Sequence, residues 1–95
     1  MKIATITSVS TGHADWPPRM TPDGSSDVFA EGLGVHRQGD SWEIHCNTQN
    51  QCHKGVTARG SATVYCNGRQ VARIGDPISC GDAIATGRET VFVGD

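Results

Sequence analysis

The sequence predicts an all-β protein in which three β-hairpin repeats surround a pseudo-threefold axis. Four observations carry this expectation. Glycine is frequent, with 12 among 95 residues, while aromatics make up only 5%. No stretch places apolar residues at the 3.6-residue spacing of an amphipathic helix, so short strands joined by tight turns fit better. The sequence also aligns with itself. A shift of 36 residues lays GSSDVFAEGLGVHRQGD (24–40) over GSATVYCNGRQVARIGD (60–76), and a shift of 27 lays HKGVTARGSATVY (53–65) over CGDAIATGRETVF (80–92). Finally, glycine stands where a two-residue hairpin turn requires positive φ.

Each copy carries a glycine, two spacers, Asp or Thr, then Val and an aromatic: Gly24 to Phe29, Gly60 to Tyr65, and Gly87 to Phe92. In the first copy DVFAEGLGV reads as two strands around Glu31-Gly32. In the second, TVYCNGRQV does the same around Asn67-Gly68. The third closes as VFVGD. The pairs Gly39-Asp40 and Gly75-Asp76 read as turns in which the Asp side chain accepts backbone N–H bonds, not as catalytic carboxylates. A single hairpin is too small to bury an apolar face, so the three share one core in a single domain over residues 1–95.

Composition bounds the function. Lys and Arg number 8 against 10 Asp and Glu, and the basic residues are scattered, so the footprint of a nucleic-acid binder is missing. No apolar run approaches the roughly 18 residues that span a bilayer. The start MKIATITSVSTG lacks the apolar core of a signal peptide, which places synthesis in the cytoplasm. In that setting the four cysteines are expected as free thiols or metal ligands, not disulfides. There is no G-x-S-x-G elbow, P-loop or H-E-x-x-H, and no third group orients a Cys/His pair. The chain is therefore expected not to be an enzyme and to have no small-molecule substrate. At this size the core is small, and a metal or a partner has to supplement it.

The stretch HCNTQNQCHKG (45–55) offers such a metal site. The shift of 27 residues superimposes Cys80 on His53, each seven residues before its repeat glycine. Equivalent positions converge on a threefold axis. In the first copy His13 is the one comparable residue, displaced by a loop about four residues longer. His45 enters the same region from the second loop. His13, His45, His53 and Cys80 then make a closed tetrahedral donor set for one structural zinc. Cys46 and Cys52 compete, since exchanging either for its His neighbour also gives a zinc set. In an extended segment their side chains point away when His45 and His53 face inward. His36 replaces an Ala of the second copy, Ala72, inside the hairpin and reads as a surface or hydrogen-bonded core residue, outside the ligand set.

GSATVYCNGRQVARIGDPISCG and GRETVFVGD resemble the PAAR-repeat proteins, whose Pro-Ala-Ala-Arg stretch is represented here by Gln70-Val71-Ala72-Arg73. The hairpin ending in R-x-G-D, the S-C-G before the last copy, the closing VFVG, Thr11-Gly12-His13 and the W-x-x-H that ends at His45 carry the likeness across nearly the whole chain. The resemblance implies a small cone with zinc near its apex, held by His13, His45, His53 and Cys80. It also implies a broad base that caps the trimeric β-helical spike of a contractile injection machine, one cap per trimer. Such a tip would sharpen the spike and contact the target envelope transiently, as part of a phage baseplate or secreted by a type VI machine. Three features depart from the pattern: the long loop with Trp16-Pro17-Pro18, the run Gly34-Val35-His36-Arg37, and the extra Cys46 and Cys52. With nothing after Asp95, the chain reads as a bare tip.

The base contact is expected around Val28, Phe29, Val64, Tyr65, Val91, Phe92 and Val93, on the hairpin side opposite the zinc. An alternative reading is a free zinc-binding adaptor or regulatory module, which a uniformly polar surface would favour.

Overall fold

The computed structural model describes residues 1–94; Asp95, the last residue of the third copy, lies outside the described residues. Regular structure among the described residues is β only, in three two-stranded antiparallel ribbons. Strand β1 (Phe29–Ala30) pairs with β2 (Leu33–Gly34), β3 (His45–Cys46) with β4 (Cys52–His53), and β5 (Tyr65–Cys66) with β6 (Arg69–Gln70). The first and last ribbons are the expected repeat hairpins. Their turns place Glu31 and Gly32 at φ 53° and 79°, and Asn67 and Gly68 at 55° and 77°, the double positive φ of a turn whose twist matches the strands it joins.

The third copy differs from expectation, because its return strand comes from the other end of the chain. Ile3 donates its N–H to Val91 (3.0 Å), Val93 donates to Met1 (2.7 Å), and Lys2 faces Phe92. The Val91 carbonyl and the Val93 N–H and carbonyl are thereby paired with residues 1–3. Lys2-Ile3-Ala4-Thr5 in this way fills the place that Gln70-Val71-Ala72-Arg73 fills in the second copy.

That substitution closes the threefold. Ala4 donates its N–H to Ala72, Ala72 to His36, and His36 to Ala4, each at 3.0 Å, forming a closed triangle of backbone bonds about the axis. All three residues are fully buried. Bridges Thr5↔Val35, Arg37↔Val71 and Ile3↔Arg73 repeat around it. Three turns follow. Asp40 and Asp76 accept the N–H of Arg37 and Arg73 (2.9 and 2.7 Å) and also their guanidinium groups, the structural role expected of them. Ser8 does the same for Thr5 at 3.1 Å. The repeat glycine is fixed by close approach: a Cβ at Gly60 would lie 2.2 Å from the Val71 carbonyl oxygen.

Two apolar layers stack along the body, which measures 38 × 23 × 22 Å. The first contains the equivalents Ile3, Val35 and Val71 together with Ala30, Cys66 and Val93. The second contains Ala4, Ala72, Trp42, Ile78 and Ile84, with Cys80 packed against it. His36 fills the third axial place and is a core residue. Its ring nitrogens contact the Asp23 carbonyl (2.8 Å) and Thr57 Oγ1 (2.7 Å). Burial, outweighing the neighbouring carboxylates, lowers its pKa, so the ring is neutral and its 3.9 Å approach to Asp40 is no ion pair. Asp40 is gripped by Arg37 and Arg69 instead.

At the base, Phe29, Tyr65 and Phe92 occupy equivalent positions and are 60%, 57% and 65% exposed. Val28 and Val64 are exposed beside them. Val93 is buried in the first layer beside its equivalents Ala30 and Cys66, and half-buried Val91 packs against that layer.

Candidate metal centre

Above the second layer each unit sends out a loop from paired bases: Val9↔Met20, Ser41↔Val56 and Pro77↔Ala83. The loops differ in length, and so does what they deliver. The first brings His13, held in a tight turn by reciprocal bonds between its N–H and C=O and those of Trp16 (3.0 and 2.8 Å). The second folds into the ribbon β3–β4, where His45 stands directly opposite His53. The third is the shortest and brings Cys80.

These four side chains converge. One donor atom from each of His13, His45, His53 and Cys80 lies within 4.8 Å of every other. The Nε2 atom of His53 is 3.2 Å from that of His13 and 2.5 Å from that of His45. Zinc–nitrogen bonds of about 2.0 Å in a tetrahedron set nitrogens about 3.3 Å apart, which the His13–His53 spacing matches, while the His45–His53 spacing is shorter. The donor chemistry fits: three imidazoles and one thiol, and His45 is fixed in the useful tautomer. Its Nδ1 donates to the Pro17 carbonyl at 2.8 Å, which leaves the Nε2 lone pair free for a cation. Desolvation, then the His45 and His13 rings, lowers the pKa of His53, which favours the unprotonated, ligating form. These residues can hold a metal ion.

Two cysteines stand apart from the expectation of free thiols. Cys46 and Cys52 form a disulfide across the ribbon, because facing His45 with His53 necessarily faces their neighbours too. They therefore do not take the place of the imidazoles. Cys66 is a free thiol buried in the first layer.

Trp16 and Pro17 were legible only as an unusual loop. In the structure the Trp16 indole stacks on His13 (5.1 Å, 16°) and on His53 (4.8 Å, 15°), while Pro17 orients His45. Their position in the longer loop beside His13 was the available signal. Asp82 ties the first and third loops: its carboxylate accepts from Thr11 Oγ1 at 2.5 Å. Its pKa is lowered although burial opposes this, because hydrogen bonds from Thr11, Ser10 and Ala83 outweigh desolvation.

The PAAR motif family model matches residues 11–86, a span that contains all four donors and both complete repeat hairpins. Two curated relatives are similar over 76 residues at 34% identity, covering 75% of this chain: the NAD(P)(+) glycohydrolase toxin Tse6 of Pseudomonas aeruginosa strain PAO1 and the (p)ppApp synthetase toxin Tas1 of Pseudomonas aeruginosa strain UCBPP-PA14. The match covers only 18% and 17% of those proteins. With the repeated hairpins, the converging loops and the family model in agreement over the same residues, the chain belongs to the PAAR-motif family.

Proposed function

We propose that this chain is the tip of a contractile injection machine: a single PAAR domain that caps a trimeric β-helical spike and is stabilised at its apex by one zinc ion on His13, His45, His53 and Cys80. The observation that carries the reading is the ring of Phe29, Tyr65 and Phe92, three equivalent aromatics exposed at one end of a threefold body. A monomer with approximate threefold symmetry can meet three identical chains at once, and a blunt β-helix end presents unpaired edges and apolar side chains in need of cover. A uniformly polar base, the mark of a free adaptor, is not what the chain presents.

At the other end there is little apolar area. A structural zinc is worth on the order of 10 kcal/mol in small zinc peptides and can replace the missing core. When bound it would supply a crosslink of the three loops, and the four protein donors leave no position for substrate.

The relatives support delivery rather than catalysis as the shared role. One is named for glycohydrolysis and the other for (p)ppApp synthesis, yet the same segment matches both at the same identity. A segment common to two different chemistries serves what the proteins share. Their being toxins favours secretion by a type VI machine over a phage virion, with transient contact at the target envelope.

The test has two arms. Protein purified without added metal should contain about one equivalent of zinc, and Cys80→Ser should lose it. Phe92→Asp should abolish co-purification with a trimeric spike while zinc stays bound, since docking would bury an unpaired charge. A metal-free, folded protein sinks the zinc assignment, and unimpaired docking of Phe92→Asp sinks the base assignment.

A further inference from the structure

We propose that Cys46 and Cys52 form a redox site coupled to the metal centre: closing the disulfide tightens metal binding, and metal binding stabilises the disulfide. The inference rests on the zinc reading above.

Its basis is the register of one short ribbon. His45 faces His53 on one rung, and Cys46 faces Cys52 on the next. The metal and the disulfide thus crosslink the same two strands at adjacent places. Beyond these crosslinks they are held by contacts with the first loop, His45 to the Pro17 carbonyl and Trp16 stacked on His53, and not by the core. The ribbon is two residues long on each side, and its turn is closed mainly by Asn47, whose side-chain Oδ1 accepts the backbone N–H groups of Gln49 and Gln51 at 3.0 and 2.8 Å. Neither apolar layer includes a residue from 43 to 55 except through Trp42 at its root. A ribbon of this kind frays unless it is tied.

Either crosslink removes conformational freedom that the other would otherwise have to overcome. The coupling is therefore favourable, and thermodynamic linkage makes it equal in both directions. Strand alternation places the cysteine side chains on the opposite face from the two imidazoles, so the pair acts through the backbone and not as donors. Cys52 is exposed and Cys46 half-buried, which leaves the bridge open to exchange with small thiols. In forming it, two thiols yield one S–S bond and release two protons and two electrons. A small-molecule disulfide such as oxidised glutathione accepts them and ends as two thiols.

Zinc affinity of the full chain, by chelator competition at fixed pH, would be compared before and after reduction with a phosphine. The reduction potential of the pair would be measured in glutathione buffers with and without zinc. We expect about tenfold tighter zinc in the oxidised protein, and a potential lower by about 30 mV in the presence of zinc, the same factor expressed electrically. The Cys46→Ser/Cys52→Ser protein should bind zinc like the reduced protein and ignore redox conditions. Equal affinities in the two states overturn the proposal. So does tighter zinc on reduction, which would show the thiols joining the metal. Wild-type-like affinity of the double variant overturns it as well. If zinc binds in neither state, the metal reading falls together with this one, whereas zinc bound equally in both removes only the coupling.

Discussion

His45 and Pro17 lie on different apical loops, and the imidazole Nδ1 donates to the proline carbonyl at 2.8 Å. That bond sets the His45 tautomer and turns its Nε2 toward His53. The same loop carries Trp16 over the rings of His13 and His53. Two neighbouring residues in sequence thus serve all three imidazoles.

Trp16 is expected to slow metal exchange by covering two ligands and holding their rings in place. Its indole Nε1 is buried with no acceptor among the described residues, which costs about 1–3 kcal/mol, so the residue is present for its stacking face. Trp16→Ala should weaken zinc binding by about 10- to 100-fold, as loss of outer-shell partners does elsewhere. Trp16→Phe should keep most of the affinity and relieve the orphaned N–H. Chelator-driven release rates of the two variants check this; equal losses would mean that stacking is not what matters.

Much of this architecture was readable because steric demands leave marks in sequence. Gly60 is required by the Val71 carbonyl beside it, and the Glu31-Gly32 and Asn67-Gly68 turns require positive φ. The same register that repeats Gly60 as Gly87 superimposes His53 on Cys80, which is why the donor cluster could be read before any coordinates. The N-terminal strand escaped because it is half a repeat detached from its other half. KIATITS does match QVARIGD, but no Gly-x-x-Thr-Val-aromatic precedes it. Its partners lie at residues 91–93, and nothing local signals a pairing over that distance. The Cys46–Cys52 bridge escaped because compartment was weighed above register: once His45 stands opposite His53, Cys46 and Cys52 face each other on the next rung. Val93 was read only as part of a base patch, because an apolar residue near a chain end looks the same in core and interface; its register with Ala30 and Cys66 puts it in the first layer.

Thr7 stands at φ 75°, where its equivalents Gly39 and Gly75 stand at 86° and 90°. A β-branched residue is strained there. Thr7→Gly should stabilise the protein by about 1 kcal/mol, the relief of strain exceeding the extra freedom glycine gives the unfolded chain. Denaturant midpoints with an unchanged m-value would verify it. Destabilisation would mean that Thr7 makes a contact worth more than the strain.

Glu31 links the first hairpin turn to the third copy, accepting from Thr90 N–H and Oγ1 and from Arg88. The Thr90 hydroxyl, then its N–H and the Arg88 guanidinium, lower the Glu31 pKa from 4.5 to about 2. Its folded value is depressed, so its contribution is complete above the unfolded pKa and is lost as pH falls from about 4.5 toward 2. Glu31→Gln should flatten the stability profile in that window, where every histidine is already protonated in the unfolded chain. The difference between the two acid-unfolding curves isolates the effect; parallel curves would show that the carboxylate is not coupled to folding.

The last prediction concerns which part of the body the metal holds. The N–H groups of Ala4, His36 and Ala72 form the closed axial triangle between the two apolar layers, and they open only when the layers separate. The N–H groups of Trp16, Asn47 and Gly81 close the apical turns, bonding to His13, Gln51 and Ile78. Little apolar area lies beneath them. Residues 13, 45, 53 and 80 share one crosslink when metal is bound, so opening any one loop requires breaking a metal bond. Hydrogen exchange on holo and chelator-treated protein should therefore show protection collapsing at Trp16, Asn47 and Gly81 on metal removal, while Ala4, His36 and Ala72 remain the slowest. Local stability would then divide at the level of Trp42 and Ile78, with the axial core independent of the metal. If the axial amides lost protection together with the apical ones, the two layers would not be stable alone and zinc would be holding the whole fold. If the apical amides were unchanged, zinc would not be what ties the tip.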